Sequence, residues 1–253
     1  MRILLGAAIL ATATLGHATV LYDGASGVLP DHASWGWSYG ATGGSASAGS
    51  GVATLDTTGN IGFSAGWGRV NPFALDASPG FRVTFDLRVE AEDHSSPTAD
   101  KNGDGLADRA GFSVIVLGSD QKGVELGFWN DEVWAQQDSP LFVHSPTAER
   151  ATWATGAMTS YELTMVGSTY TLKANGGQIL TGARKDYTAF AGFPDPYETP
   201  NFLFFGDNTT SASGRAAIRS IGATPVPEPG TIALFAMGLA GMHRRRNRAR
   251  GKG

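Results

Sequence analysis

The stretch FRVTFDLRVE, residues 81–90, decides the fold class of this chain. Apolar and polar residues alternate over its whole length, and the apolar side chains are Phe81, Val83, Phe85, Leu87 and Val89. A period of two is typical of a β-strand with one face in the core and the other in solvent. We therefore expect a half-buried strand here, and the rest of the fold is built around it.

Other apolar runs are bounded by turn residues and predict further strands. The residues SDQK separate two such runs and predict a hairpin. Two more hairpins are predicted where Gly167-Ser168 and Asn175-Gly176 interrupt alternating segments. The predicted strands and strand pairs lie at 111–118, 123–129, 161–182, 201–207 and 215–221.

Turn signals recur roughly every 8–12 residues, and no segment has the period of an amphipathic helix. Residues 19–222 are therefore predicted to form one all-β domain, an antiparallel β-sandwich. The stretch ATGGSASAGSG, 41–51, is low in complexity and is predicted to be a long loop.

The composition agrees with an all-β chain. Glycine occupies 35 of 253 positions, and charged residues make up only 17%. A helical bundle would be richer in charged residues, and a disordered acidic chain would lack the 6 Trp, 6 Tyr and 13 Phe present here. The absence of cysteine excludes disulfide scaffolds, cysteine-liganded zinc and cysteine nucleophiles.

The net charge of −4 conceals a strongly acidic body. Residues 19–230 contain 12 basic and 23 acidic residues, because seven of the arginines and lysines lie at the chain ends. Nucleic acids and anionic membranes are bound largely through Lys and Arg, so nucleic-acid binding is not expected.

The chain ends carry the features of targeting signals. Residues 1–18 combine Arg2, an apolar stretch and a small-residue cleavage pattern, so they are predicted to be a helical signal peptide. At the other end, prolines at 225, 227 and 229 precede the apolar segment 231–242 and a cluster containing Arg244, Arg245 and Arg246. Physics alone leaves open an interfacial hairpin or an ordinary terminal anchor. A sorting signal at 223–253 with a membrane-inserted helix is the preferred interpretation.

The C-terminal sequence VPEPGTIALFAMGLAGMHRRRNR resembles the PEP-CTERM sorting signal of Gram-negative bacteria. The resemblance rests on Pro227-Glu228-Pro229, the glycine-containing apolar segment and the arginine cluster, in that order. It implies a secreted protein of the cell surface or extracellular matrix that is transiently anchored in the inner membrane by residues 231–242. It also implies a partner, the membrane protease exosortase, which recognises the Pro-Glu-Pro triplet and removes the tail.

The order of the predicted strands resembles the concanavalin A-like lectin/glucanase and laminin-G-like jelly rolls. The resemblance rests on GFSVIV with GVELGFW and on YELTMVGSTYTLKANGGQILTG. It covers about residues 19–222 and implies a jelly-roll sandwich. Because that superfamily contains lectins, adhesion modules and glycoside hydrolases, the fold does not select one function.

The strongest chemical motif is DKNGDGLAD, residues 100–108. It places oxygen donors at alternate positions with a glycine at the sixth, which suits Ca²⁺. The predicted ligands are Asp100, Asn102, Asp104, the carbonyl of Leu106 and Asp108. The motif is not a complete EF-hand because Gly111 stands at its twelfth position, so Glu92 and Asp93 are the nearest candidates for a further ligand. A solvated turn is the alternative; a structural Ca²⁺ would offset the repulsion between the carboxylates.

Binding finds more support in the sequence than catalysis does. The candidates for a carbohydrate site are Trp129, Trp134 and Glu125, because flat rings can stack on sugars and Glu125 faces away from its apolar neighbours. Trp35, Trp37 and Tyr39 share one predicted strand face, but core packing is the preferred interpretation for large aromatic residues. No catalytic residue is assigned, since no metal-binding histidine pair, nucleophile elbow or E-x-D-x-x-E string occurs.

Together these features predict a calcium-stabilised binding or structural module for exopolysaccharide, in a biofilm or at the cell surface. The alternative is a polysaccharide hydrolase on the same fold, which would require two carboxylates flanking an accessible glycosidic bond.

Overall fold

The computed structural model describes residues 18–32, 35–98, 100–144 and 149–226. The predicted signal peptide, apart from Ala18, and the tail from residue 227 onward lie outside these ranges. The described residues form antiparallel strands and one 3₁₀ turn, Gly24–Ser26. The strands are β1 Thr19–Asp23, β2 Ser38–Thr42, β3 Ser45–Gly49, β4 Val52–Asp56, β5 Ser64–Val70, β6 Phe81–Asp93, β7 Ser113–Leu117, β8 Gly123–Phe128, β9 Glu132–Ala135, β10 Arg150–Thr152, β11 Thr159–Val166, β12 Thr169–Ala174, β13 Gly177–Ala183, β14 Phe202–Asp207 and β15 Ser213–Pro225.

The strands build two stacked sheets, which confirms the predicted antiparallel β-sandwich. Sheet A has the order β13-β12-β11-β6-β15-β4-β3, and β1 pairs with β15 next to β4. Sheet B has the order β10-β9-β8-β7-β14-β5-β2. The predicted strand at 81–90 is β6, which extends three residues further, to Asp93.

The core lies between the sheets and is centred on aromatic residues. Phe85 of β6 lies with its ring centroid 6.3 Å from that of Phe128 and 5.4 Å from that of Phe205, both in sheet B. The inward side chains of β6 are all buried, as the alternating sequence predicts. This contact between the sheets places β6 at the middle of the sandwich.

The outer face of sheet B is also covered, which the sequence did not indicate. A second apolar cluster forms there between strand residues Ile115 and Leu117 and the loop residues Phe142, Tyr187 and Tyr197. Strands β7 and β8 are consequently buried on both faces. Burial on both faces explains why their sequences are continuous apolar runs rather than alternating ones.

The prediction of a long loop at 41–51 is wrong. Strand β2 ends inside this stretch, and strand β3 lies entirely within it. The small residues there form edge strands, β2 on β5 and β3 on β4, through main-chain hydrogen bonds that need no side-chain bulk. Gly43 and Gly44 carry the chain from sheet B to sheet A. Gly43 has a φ of 74°, and a Cβ on Gly44 would lie 2.7 Å from Cβ of Ala65.

The two ends of the sandwich are formed by different strand ends, and only one of them contains the ends of the folded chain. At one end, called the terminal end here, β1 begins, β15 ends and β6 begins: Thr19 pairs with Ala223, and Pro225 pairs with Phe81. At the opposite, distal end, Asp93 pairs with Ser213. Thirteen residues of β6 separate the two ends, a distance of about 40 Å at the usual rise of a strand.

None of the described residues belongs to a helix that is long and apolar enough to cross a bilayer.

Candidate functional site

Glu125, a predicted sugar contact, lies on the outer face of β8 beneath the loops that cover sheet B. Its side chain is fully buried. Arg109 forms an ion pair with its Oε1 at 3.0 Å, and Asn208 Nδ2 donates to the same oxygen at 3.1 Å. The hydroxyl of Tyr197 donates to Oε2 at 2.5 Å. Glu125 is thus the acceptor at the centre of a buried polar network and is not presented to a ligand.

The electrostatics of this network favour a charged pair with neutral donors around it. Burial, together with the charge of Glu125, raises the pKa of Tyr197 well above its usual value, so this hydroxyl stays protonated. Burial acts to lower the pKa of Arg109, but the surrounding negative charge, chiefly Glu125, raises it. Arg109 therefore remains a cation, and its pair with Glu125 is maintained.

Trp129 and Trp134 also lie inside the molecule rather than on an exposed platform. Trp134 is fully buried, and Trp129 is only 6% exposed. The Trp134 indole lies over Gly127, where an added Cβ would be 2.4 Å from the ring, so glycine makes room for it. A sugar platform requires an open ring face. In this structure the three predicted carbohydrate-contact residues do not provide one.

The predicted packing of the other aromatic residues is largely what the structure shows. Trp37 is buried and donates through Nε1 to the carbonyl of Leu21 at 2.8 Å, and Trp35 packs partly buried against the core. Tyr39 is the exception, with 36% of its surface exposed beside Trp67.

The loop of residues 100–108 is organised around Asp100. Its Oδ1 accepts from the amide of Gly103 at 2.7 Å, and its Oδ2 accepts from the amide of Gly105 at 2.9 Å. Both glycines have positive φ values, 75° and 87°, a conformation that other residues adopt with difficulty. Asn102 and Asp104 are exposed on the same loop, and Asn102 Nδ2 donates to Asp104 Oδ2 at 3.0 Å.

Asp108 differs from the other predicted calcium ligands because it is fully buried. Its Oδ2 accepts from the amide of Lys101 at 2.6 Å, and its Oδ1 accepts from the amide of His144 at 2.8 Å. Its carbonyl accepts from Gln136 Nε2 at 2.8 Å. Asp108 therefore fastens the loop to the connection between β9 and β10.

The donor set of the loop is short of carboxylates for a metal ion. Within the described ranges, no group of three or more His, Cys, Asp or Glu side chains is arranged to hold one. A cation at this loop would therefore depend also on the amide oxygen of Asn102 and the main-chain carbonyl of Leu106, which suits hard oxygen-preferring ions.

A surface pocket of about 360 Å³ opens at the distal end. It is lined by Glu92, Asp93, His94, Ser95, Asn130 and Asp131. In the sequence, Glu92 and Asp93 lie just before the calcium motif. In the structure they are the last residues of β6 at the distal end, beside the turn that contains Asn130 and Asp131.

One of the lining residues, His94, is stacked on a neighbouring aromatic ring. The imidazole of His94 lies parallel to the indole of Trp129, with centroids 4.1 Å apart and planes inclined by 16°. His94 Nδ1 lies 2.7 Å from Oε2 of Glu92, whose side chain is only 1% exposed. This hydrogen bond raises the pKa of His94, while burial raises the pKa of Glu92 against the opposing effect of His94.

Sequence reasoning missed the contributions of Arg109, His144 and the loop residues Tyr187 and Tyr197. Their partners are distant in the chain; Tyr197 is 72 residues from Glu125. Only the isolated arginine next to a buried apolar run could have signalled a buried ion pair. The predicted sorting residues Pro227, Glu228, Pro229, Arg244, Arg245 and Arg246 lie outside the described residues.

Comparison with known proteins identifies the C-terminal sequence. Residues 225–248 match the family model described as the PEP-CTERM protein-sorting motif. No curated protein matches the chain.

Several solved structures are similar at low identity. A carbohydrate esterase from the Shiga toxin-encoding bacteriophage phi24B is 16% identical and has a TM-score of 0.49; the match covers 83% of this chain and 99% of that one. A protein of unknown function with a galectin-like fold from Bacillus subtilis is 11% identical and has a TM-score of 0.47, over 83% of this chain and 98% of that one. The metal-free carbohydrate recognition domain of Emp46p is 9% identical and has a TM-score of 0.46, over 81% and 94%. The chain is thus an all-β sandwich that carries a PEP-CTERM sorting motif at its C-terminus, the mark of an exported, membrane-sorted protein.

Proposed function

We propose that this protein is a sandwich module displayed at the cell surface or in the extracellular matrix of a Gram-negative bacterium, where it binds or organises exopolysaccharide. The observation that carries the proposal is the position of the chain ends. At the terminal end Thr19 pairs with Ala223, two residues before β15 ends at Pro225, and the amide of Val226 donates to the carbonyl of Gly80 at 2.9 Å. The sorting motif therefore begins where the last strand stops, without an intervening linker.

This arrangement sets the orientation of the anchored protein. Five peptide steps separate Val226 from the apolar segment that begins at Thr231, a reach of at most about 18 Å. The terminal end then faces the membrane, and the distal end with its pocket faces away from it. This orientation applies to the protein while it is anchored, before the tail is removed.

The proposed partner in sorting is an exosortase-type protease that recognises Pro227-Glu228-Pro229. The chain supplies a matched control, since Pro194-Asp195-Pro196 repeats the pattern of two prolines around an acid. Glu228→Ala is expected to leave the tail attached and the protein in the membrane fraction of the native host. Asp195→Ala is expected to be processed normally. Immunoblotting with tags on both sides of the motif measures this, and normal processing of Glu228→Ala would contradict the proposal.

The proposed cofactor is a structural Ca²⁺ held by Asp100, Asn102, Asp104 and the carbonyl of Leu106. Supporting it, the loop already turns around Asp100, and exposed carboxylates gain from a neutralising cation. An affinity of about 10⁻⁴–10⁻³ M is expected for an extracellular site. Asp108 contributes by fixing the loop, because it is fully buried and its oxygens accept from the amides of Lys101 and His144.

The calcium site is tested by melting the full-length chain in mild detergent with and without millimolar Ca²⁺. The variant Asp100→Ala with Asp104→Ala is expected to lose the calcium-dependent rise in Tm. The control, Asp186→Ala with Asp195→Ala, removes the same charge elsewhere and should keep the rise. An unchanged calcium response in the first variant would rule out this loop as the site.

A binding or structural role is favoured over hydrolysis by the state of Glu125. A glycosidase needs two carboxylates that flank an accessible glycosidic bond. Glu125 is buried and accepts bonds from Arg109, Asn208 and Tyr197, so it cannot approach a polysaccharide without disrupting the network. We therefore assign no catalytic step to it.

A further inference from the structure

We propose that the edge strand β3 is a dimerisation site, where a second copy of this chain pairs antiparallel and continues sheet A into the neighbouring molecule. Strand β3, Ser45–Gly49, is the last in the order of sheet A, and among the described residues no strand pairs with its outer edge. The inference goes beyond the proposed function, because it concerns a protein partner and does not depend on polysaccharide binding.

Strand β3 lacks the features by which proteins protect an exposed sheet edge. Such edges usually carry a charge, a proline or a β-bulge, or they are very short. Residues 33–55 contain no charged residue and no proline. The pairing of β3 with β4 runs through all of its residues without a register shift. The outer edge of β3 is therefore open to another strand.

The edges on the other side of the sandwich are protected. In sheet A, the edge strand β13 has a register shift in its pairing with β12. In sheet B, the edge strand β10 has only three residues and contains Arg150. The carboxylate of Glu149 packs against Gly182 of β13 and forms an ion pair with Lys185 at 3.0 Å. The β3 edge thus differs from the edges across the molecule in charge and in regularity.

The turn between β3 and β4 determines which main-chain groups of β3 are free. It has two residues, 50–51, with φ values of 52° and 77°, so it joins Gly49 to Val52 by hydrogen bonds. In an antiparallel hairpin, every second residue pair is hydrogen-bonded. The N–H and C=O groups of Ala46 and Ala48 consequently point away from β4.

These free groups match those of a second copy. An antiparallel pair centred on Ser47 places Ala46 of each copy opposite Ala48 of the other, and both N–H···O bonds can form in each such pair. The side chains at the junction are small, with Ser47 on the outer face and the two alanines partly buried on the inner face. No bulky or charged side chain meets its own copy across the two-fold axis, so the edge is self-complementary.

The distribution of charge also favours a second copy at this edge. The body of the chain is strongly acidic, so two copies repel each other over most of their surfaces. The uncharged stretch 33–55 is where they can approach with least repulsion. This edge leaves apolar surface uncovered, since Tyr39 is 36% exposed and Ala46 packs only partly buried against the core. A neighbouring copy would remove such surface from water.

Antiparallel pairing has a consequence for where the dimer forms. The terminal ends of the two copies point in opposite directions. Copies anchored in one membrane by their tails point the same way under the proposed function, so they cannot pair through β3 while both are anchored. The dimer is therefore expected of the released protein, and of the full-length chain in detergent, where no common bilayer holds the tails.

Cysteine cross-linking tests the pairing and its register, because the chain has no cysteine of its own. In the full-length chain in mild detergent, Ser47→Cys places two Cα atoms about 4.5 Å apart across the two-fold axis, within the range of a disulfide. Ser45→Cys, on the same face of β3, places them about 13 Å apart. Under a mild oxidant, Ser47→Cys is expected to form linked dimers at least about tenfold faster than Ser45→Cys. Equal rates would overturn the proposal.

Sedimentation equilibrium of the full-length chain in the same detergent tests the dimer without a cross-link. Ser47→Lys places two like charges opposite each other and is expected to raise the Kd of the dimer at least about tenfold. Gln178→Lys, at an exposed position of β13, should leave the Kd unchanged.

Three results of the sedimentation experiment would overturn the proposal. They are a chain that stays monomeric, an assembly larger than a dimer, and a Kd that Ser47→Lys does not change. The last result would assign the association to the apolar tails. None of these measurements uses a polysaccharide, so failure here leaves the proposed function standing.

Discussion

Glu125 shows how the environment of a single residue determines its role. The sequence correctly places its side chain on the opposite face of β8 from Val124 and Leu126. It does not reveal that loops from distant parts of the chain bury that face. Nor does it reveal that Arg109 and Tyr197 contact the Glu125 carboxylate. Orientation within a strand follows from a local pattern, whereas burial depends on contacts between segments far apart in the chain.

Glu125→Gln is expected to destabilise the protein by about 3 kcal/mol, because it leaves the Arg109 charge buried without its partner. Glu162→Gln is the control, since Glu162 pairs with Arg82 and Lys173 on the partly exposed outer face of sheet A. Its cost should be below about 1 kcal/mol. Urea unfolding measures both, and similar costs for the two variants would contradict the account of Arg109 and Glu125 as a buried ion pair.

Asp207 predicts a pH dependence of stability. Burial raises its pKa from 3.8 to about 7, although a hydrogen bond from Thr57 opposes the shift. Between these values the folded state holds a proton that the unfolded state has released, so stability falls as pH rises from about 4 to about 7. This contribution is fully present at pH values below the unfolded pKa.

Asp207→Asn should remove that decline, because asparagine does not ionise. The free energy of unfolding of the wild type relative to Asp207→Asn is expected to fall by up to about 4 kcal/mol over this range. Urea unfolding at a series of pH values measures the difference. A constant difference between pH 4 and pH 7 would show that Asp207 titrates normally.

At the scale of elements, the sequence predicted the strands whose periodicity or flanking turns are strong. Strand β6 and the hairpins of β7–β8 and β11–β13 appear where they were expected. The edge strand β3 was missed because its small residues carry no hydrophobic period, and its pairing with β4 supplies the missing stabilisation. Edge strands of this kind depend on a neighbour rather than on their own sequence.

The calcium motif contains two kinds of aspartate, and their effects on stability should differ. Asp108→Asn is expected to lower the free energy of unfolding by about 2 kcal/mol even without calcium. The side-chain NH₂ of asparagine would face one of the two main-chain N–H groups that now donate to Asp108, and that hydrogen bond would be lost. Asp104→Asn, which changes an exposed side chain, should leave the calcium-free unfolding midpoint unchanged. Urea unfolding in a chelator measures both. Equal midpoints for the two variants would mean that Asp108 does not fasten the loop.

At the scale of the whole molecule, the pairing of β1 and β6 with β15 gathers the chain ends at one end of the sandwich. The sequence predicted a targeting segment at each end of the chain but could not show that the two segments flank neighbouring strands. That arrangement follows from the register of sheet A. Under the proposed anchoring by the tail, this arrangement would place the distal pocket away from the bilayer.

The chain has no cysteine, so single labels can test this direction. Ser168→Cys lies at the terminal end, in the turn between β11 and β12, and Thr210→Cys lies at the distal end, before β15. With the full-length chain in liposomes, a fluorophore at 168 should be quenched by spin-labelled lipid headgroups. A fluorophore at 210, about 40 Å further along the sheet, should not be quenched. Equal quenching at both positions would contradict the proposed orientation.

The central claim, that this exported sandwich is a polysaccharide-binding module, is tested most directly by titrating the full-length chain with a panel of purified bacterial exopolysaccharides. The titration is made in millimolar Ca²⁺, and the same samples are assayed for new reducing ends. The account predicts saturable binding to at least one polysaccharide and no cleavage. Binding with release of reducing ends would establish the hydrolase instead, and no binding to any member of the panel would contradict the account.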